Sequence, residues 1–158
     1  EKVRDGVMER AGVAIEDHKI GRTFKEDQDP REPFYDAGSV GPSVFDPGGP
    51  LVRGAYGTWD HEARAGQGAH IATAAALARF AAHFYVNGSK IGMERPENDG
   101  GTWRWNHTGS LAGTNSVIRQ RGDGFTFAVI FNKRGENLAG RAREAIDGLI
   151  DSGTIVWE

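Results

Sequence analysis

Hydrophobic and polar positions alternate most clearly between Trp103 and Asn132 (WRWNHTGSLAGTNSVIRQRGDGFTFAVIFN), and the stretch predicts three short strands in succession. Two turn signals separate them, Leu111-Ala112-Gly113 and Arg121-Gly122-Asp123-Gly124. The second sets Asp-Gly between β-prone runs, which supplies the positive φ of a tight hairpin connection. In the last strand Phe125, Phe127, Val129 and Phe131 alternate with Thr126, Ala128, Ile130 and Asn132, and only Thr126 and Asn132 are polar. A strand apolar on both faces is expected to be covered on both sides, in a sheet interior and not at an edge.

Elsewhere the period lengthens to that of a helix. From Ala69 to Val86, Ile71, Leu77, Phe80, Ala81 and Phe84 make one apolar stripe among alanines, with Thr73 as a cap and Asn87-Gly88 as the stop. Residues 136–151 predict a second amphipathic helix. Leu138, Ala142, Ala145, Ile146, Leu149 and Ile150 are expected inward, and Arg141, Arg143, Glu144 and Asp147 mostly outward. Residues 1–12 read as the tail of a helix, with Val3, Val7 and Met8 at helical spacing and Gly12 as its end, so sequence upstream is expected. Phe34-Tyr35 reads as a short strand, and Gly38 to Gly57 as a long irregular loop broken by Gly and Pro. Strands followed by a helix that packs back on them give an α+β class: an antiparallel sheet of residues 102–109, 114–121 and 124–132, with the last helix across one face.

Composition narrows the function classes. At 158 residues the chain is expected to be a single domain over 1–158. A net charge of −3 with both signs interspersed gives no electrostatic case for nucleic acid. No run reaches the length of a membrane span, and the N-terminus lacks the apolar core of a signal peptide. The absence of cysteine excludes disulfides, thiolate catalysis and Cys-ligated metals, and leaves the compartment open.

Five histidines, His18, His61, His70, His83 and His107, carry the candidate chemistry. None pairs at the i, i+4 spacing of a helical zinc site, so neither metal nor cofactor is expected. His83 reads as a surface or satisfied residue of its helix and not a ligand, and Asp60-His61-Glu62 as a solvated loop in preference to an acid–base cluster. His107 stands apart because of its neighbours. His107-Thr108-Gly109, followed by Ser110, sets a cation-capable ring, a hydroxyl and an unobstructed backbone side by side at what reads as a strand end. Gly109 would let a ligand approach the strand, and the Ser110 N–H is a candidate oxyanion donor. Alone, the triplet also fits a plain turn.

With its surroundings the triplet resembles part of a known family. Residues 32–45 (EPFYDAGSVGPSVF), 66–80 (GQGAHIATAAALARF) and 103–134 (WRWNHTGSLAGTNSVIRQRGDGFTFAVIFNKR) are similar, in order and spacing, to the C-terminal part of serine β-lactamase-related proteins. That group includes class C β-lactamases, D-Ala-D-Ala carboxypeptidases and related esterases. The resemblance implies a partial β-lactamase/DD-peptidase-like fold. In it His107 and Thr108 hold a substrate carboxylate, and the Ser110 amide supplies half of an oxyanion hole. The departures are as informative. No serine has lysine three residues on, Tyr85-Val86-Asn87 matches the family's Tyr-x-Asn only in letters, and Ala76 replaces a helix-start aspartate. The chain therefore offers no catalytic nucleophile or base and is expected to be inactive alone. A small-molecule acyl substrate is implied only if a missing half completes the site. The other reading is a non-catalytic protein on a remnant fold, binding a small acid, peptide or partner protein. A sheet face left bare by the missing half makes self-association an expectation.

Overall fold

The computed structural model describes residues 4–23, 30–35, 39–96 and 105–155. Among these the largest sheet is an antiparallel meander of β5 (Trp105–Leu111), β6 (Thr114–Gln120) and β7 (Thr126–Phe131), in that spatial order. Two smaller antiparallel pairs join β1 (His18–Ile20) to β4 (His70–Ala72), and β2 (Val40–Gly41) to β3 (Val52–Arg53). Helices α1 (Ala74–His83) and α2 (Leu138–Asp151) complete an α+β fold.

The two-residue period fixes the register of the meander. Gly109 lies opposite Ser116, which lies opposite Ile130, and His107 lies opposite Ile118. Gly113 closes the first turn at φ +75°, and a Cβ there would come 2.7 Å from the Tyr35 Cβ, so the turn needs glycine twice over. Two expectations change. His107-Thr108-Gly109 lies in the middle of β5, which runs on to Leu111, and not at a strand end. The last strand, β7, is an outer strand among the described residues, and the interior place belongs to β6. Helix α1 packs against β7 and β6 on one face of the meander, and α2 packs against β6 on the other. Trp103 and Arg104 lie outside the described residues.

Helix α1 is shorter than its apolar stripe. Thr73 is in extended conformation and its Oγ1 accepts the Ala76 N–H at 3.0 Å, so the cap read from the sequence is present. Upstream, Ile71 belongs to β4, where it lies opposite Lys19. The helix stops at Phe84, three residues before Asn87-Gly88, because partners from β6 and beyond take its end. The fully buried Gln120 donates its Nε2 to the carbonyls of Ala81 and Phe84, and its Oε1 accepts the Val86 N–H at 3.2 Å. Arg95 Nη1 adds a bond of 3.1 Å to the Ala81 carbonyl. With these carbonyls satisfied, the chain turns extended and Phe84 bridges Glu94.

Helix α2 has its inner face set by charge as much as by apolar side chains. The Ala139 N–H is held by Asn115 Oδ1 at 3.0 Å. Asp147, expected outward, points to the sheet and receives Arg119 Nε at 3.1 Å and Arg121 Nη1 at 2.7 Å. Arg121 also reaches Asp123 and Asp151, fastening the β6–β7 turn to the helix end. Leu149 and Ala145, expected inward, are exposed. At the N-terminus, Arg4–Met8 form one π-helical turn and Gly12 closes the segment at φ +68°. Met8, Ala11 and Val13 pack with Ala76 and Phe84 into the main apolar cluster. Phe34 and Tyr35 form no strand, and the long loop contains the short β2–β3 pair.

Candidate functional site

One open groove of about 1080 Å³ runs between the β5–β6–β7 sheet, on the face that also carries α1, and the β1–β4 pair. Residues directly opposite one another in an antiparallel sheet share a face, so the register sorts the candidate site. His107, Gly109 and Leu111 of β5, Ser116 and Ile118 of β6, and Ile130 of β7 form the groove face. Thr108 and Ser110 alternate to the other face. Ser110 lies opposite Asn115, whose side chain caps the start of α2, and Arg143 reaches Asn106 on that same side. Both residues still border the groove, because β5 is an outer strand.

The four candidate residues are thus brought together as a strand edge, with only the His107 ring presented on the groove face. His107 is exposed. Gly109 is bare for a different reason than expected. A Cβ there would stand 2.8 Å from Ser116 Oγ, so the space above the glycine belongs to that hydroxyl. Ser116 is the serine hydroxyl of the meander that faces the groove. Its neighbour on the strand two residues on is Ile118, and no lysine ε-amino group follows it.

The facing wall carries what the sequence did not reveal. His18 Nε2 and His70 Nδ1 are 2.7 Å apart, with the rings nearly parallel and their centroids 4.9 Å apart. They are 52 residues apart in sequence and meet because β1 and β4 pair antiparallel. Burial holds His70 below the ordinary histidine pKa, and the Ala65 backbone opposes that in part. No spacing rule finds such a pair; only the pairing of two three-residue strands could have announced it.

His61 also lines the groove, so four of the five histidines do. The Asp60-His61-Glu62 segment is no loose solvated loop. Glu62 Oε2 accepts both the Thr23 N–H, at 2.9 Å, and the Thr23 hydroxyl, while the His61 N–H bonds Thr23 Oγ1 at 3.0 Å. The Thr23 hydrogen bond holds the Glu62 carboxyl below its usual range. His61 Nε2 meets the Ala55 carbonyl at 3.0 Å, which leaves it a structural residue of the groove rim. His83 lies away from the groove, edge-on to Phe84 and 3.6 Å from Glu94. Burial and the Glu32 carboxylate keep the Tyr35 phenol protonated at the other rim.

No group of three or more His, Asp or Glu side chains among the described residues is arranged to hold a metal ion. No described helix is long and apolar enough to cross a membrane. Comparison with protein-family models, curated proteins and solved structures finds no match to this chain.

Proposed function

We propose that the chain is the C-terminal, substrate-holding portion of a β-lactamase-related serine hydrolase, and that its groove takes the carboxylate end of a small acyl compound. The observation that carries the reading is the exposed His107 ring, with Thr108 beside it, on the outer strand of an antiparallel meander that faces a groove. At about 1080 Å³ the groove matches the upper range of small-molecule sites, roughly 300–1,000 Å³. A charge-assisted bond from His107 would orient a carboxylate along β5. Acyl transfer needs a nucleophile and its base, and those must come from outside this chain. The second reading, a non-catalytic binder of small acids, rests on the missing Ser-x-x-Lys.

Calorimetry with N-acetyl-D-alanine, together with turnover assays, tests the proposal. The chain alone is expected to hydrolyse neither a chromogenic cephalosporin nor a p-nitrophenyl ester, yet to bind the carboxylate. His107→Ala should weaken that binding roughly tenfold, the worth of one charge-assisted hydrogen bond of about 1.5 kcal/mol. Turnover that disappears in Ser110→Ala or Ser116→Ala would reveal a nucleophile within the chain and overturn the reading of it as incomplete. An in-frame Ser-x-x-Lys and Tyr-x-Asn encoded ahead of Glu1 separates hydrolase from binder.

A further inference from the structure

We propose that the hydrogen-bonded His18–His70 pair is a proton-accepting subsite of this groove, which takes up one proton when a carboxylate ligand binds and so ties affinity to pH. The inference rests on the groove being the ligand cleft, and it adds a second wall to the site opposite His107.

Geometry limits what the pair can hold. A neutral imidazole has one N–H and one lone pair, so a contact of 2.7 Å between His18 Nε2 and His70 Nδ1 contains one proton, not two. Whichever ring donates, the donor ring keeps one lone pair on its other nitrogen. One further proton can join the pair without breaking this bond. A second would set N–H against N–H. The pair is therefore a reservoir for a single positive charge, shared by two rings in contact.

The rest of the lining gives that charge its weight. Three acidic residues (Glu16, Asp17, Glu32) and three permanent bases (Lys19, Arg22, Arg31) line the groove, so their formal charges cancel and the histidines decide its sign. On the elements beside the pair, Asp17 is already taken by Arg31 Nη1 at 2.7 Å. Glu32 is engaged with the Tyr35 hydroxyl. Glu62, behind the wall, is held by Thr23. Across the groove stand His107 on the sheet and His61 on the rim. Burial disfavours the charged form of His70 when the groove is empty. An anion in the groove favours the charged form, so binding draws a proton from solvent. The sign follows: affinity for an anion rises as pH falls through the histidine range and is lost as pH rises.

The test is calorimetric titration of the whole chain with N-acetyl-D-alanine, at several pH values from roughly 7.5 to 5.5, in buffers of different ionisation enthalpy. About one proton should be taken up per ligand bound, and Kd should tighten several-fold, up to tenfold, per unit fall in pH. With His107→Ala as the background, so that the pair is the histidine group left beside the ligand, His70→Gln should abolish the uptake and leave Kd nearly flat across the same range. His83→Gln, altered far from the groove, should keep the full slope. Proton uptake that survives His70→Gln in the His107→Ala background overturns the inference while leaving the groove a binding site. Where that variant does not fold, ring titration of the unaltered chain by NMR decides. His18 and His70 moving together as one coupled titration supports the pair, and two independent full titrations refute it. If N-acetyl-D-alanine binds at no pH, the reading of the groove itself fails, and the inference with it.

Discussion

The side-chain amide of Gln120 holds three backbone groups of another element while fully buried, and no charge is involved. Its two carbonyl partners belong to the last turn of α1 and its N–H partner to the extended segment beyond. The residue thus stops the helix and ties it to the sheet in one step. Gln120→Leu keeps much of the volume but leaves the Phe84 carbonyl and the Val86 N–H without this partner, each worth about 1–3 kcal/mol when orphaned, while the Ala81 carbonyl keeps Arg95. The expected loss is about 3 kcal/mol, read as a lower urea midpoint at unchanged slope. A loss under about 0.5 kcal/mol would mean that water or backbone replaces the amide easily. Nothing in the sequence marks Gln120 as special, because its partners lie 34 to 39 residues away. A still longer separation, 52 residues, hid the His18–His70 pair. His107 drew attention as a candidate because the neighbouring groups that suggest chemistry are adjacent in sequence.

At the scale of elements, legibility follows how local the forces are. The meander was readable because a two-residue period and an Asp-Gly turn are properties of a few consecutive residues. Its interior was misassigned: β6 is the middle strand, and β7, an outer strand among the described residues, has α1 packed on one of its faces. The start of α1 was readable through Thr73, whose hydroxyl lies within its own first turn. Thr73→Ala should cost about 1 kcal/mol and Thr73→Asp much less, since an aspartate also caps and suits the positive helix end. Equal losses for the two would mean that the hydroxyl matters for some contact other than the cap. The inward face of α2 was misread because Asp147 answers Arg119 and Arg121 on a strand far upstream. That network predicts acid sensitivity. The Arg121 hydrogen bond holds Asp123 below the ordinary carboxylate range. Its contribution is therefore present above the unfolded value of about 3.9 and is lost as pH falls through the lower folded value. The melting temperature should drop below about pH 4, and Asp123→Asn should flatten part of that drop. Because Asp123 is largely exposed, the change should be small; an identical acid profile for the two proteins would assign the effect to other carboxylates.

For the whole molecule, the open question is where its apolar surface lies. The sequence placed it on a bare face of the last strand; α1 packs on β7, α2 packs on β6, and Ile130 of β7 stays 38% exposed. A second group of large apolar side chains in solvent lies close together in the stretch of chain around β2 and β3. Val40, Phe45 and Leu51 are 60, 61 and 65% exposed, and Val44 adds to them. Three such side chains within twelve residues, on a short two-stranded pair that is itself marginal alone, are a poor surface for a monomer. The expected outcome is concentration-dependent self-association, driven by apolar contact and hardly weakened by salt. Light scattering over a concentration series should show a mass above that of one chain at high micromolar concentration. Phe45→Ser together with Leu51→Ser should return it to that of the single chain, without moving the melting temperature of the dilute protein, because neither side chain is buried. A mass that falls steeply with added salt would point to charge pairing instead. A single-chain mass at every concentration would mean that exposure of these residues has no associative consequence, and that the groove, not this loop, is the molecule's principal contact surface.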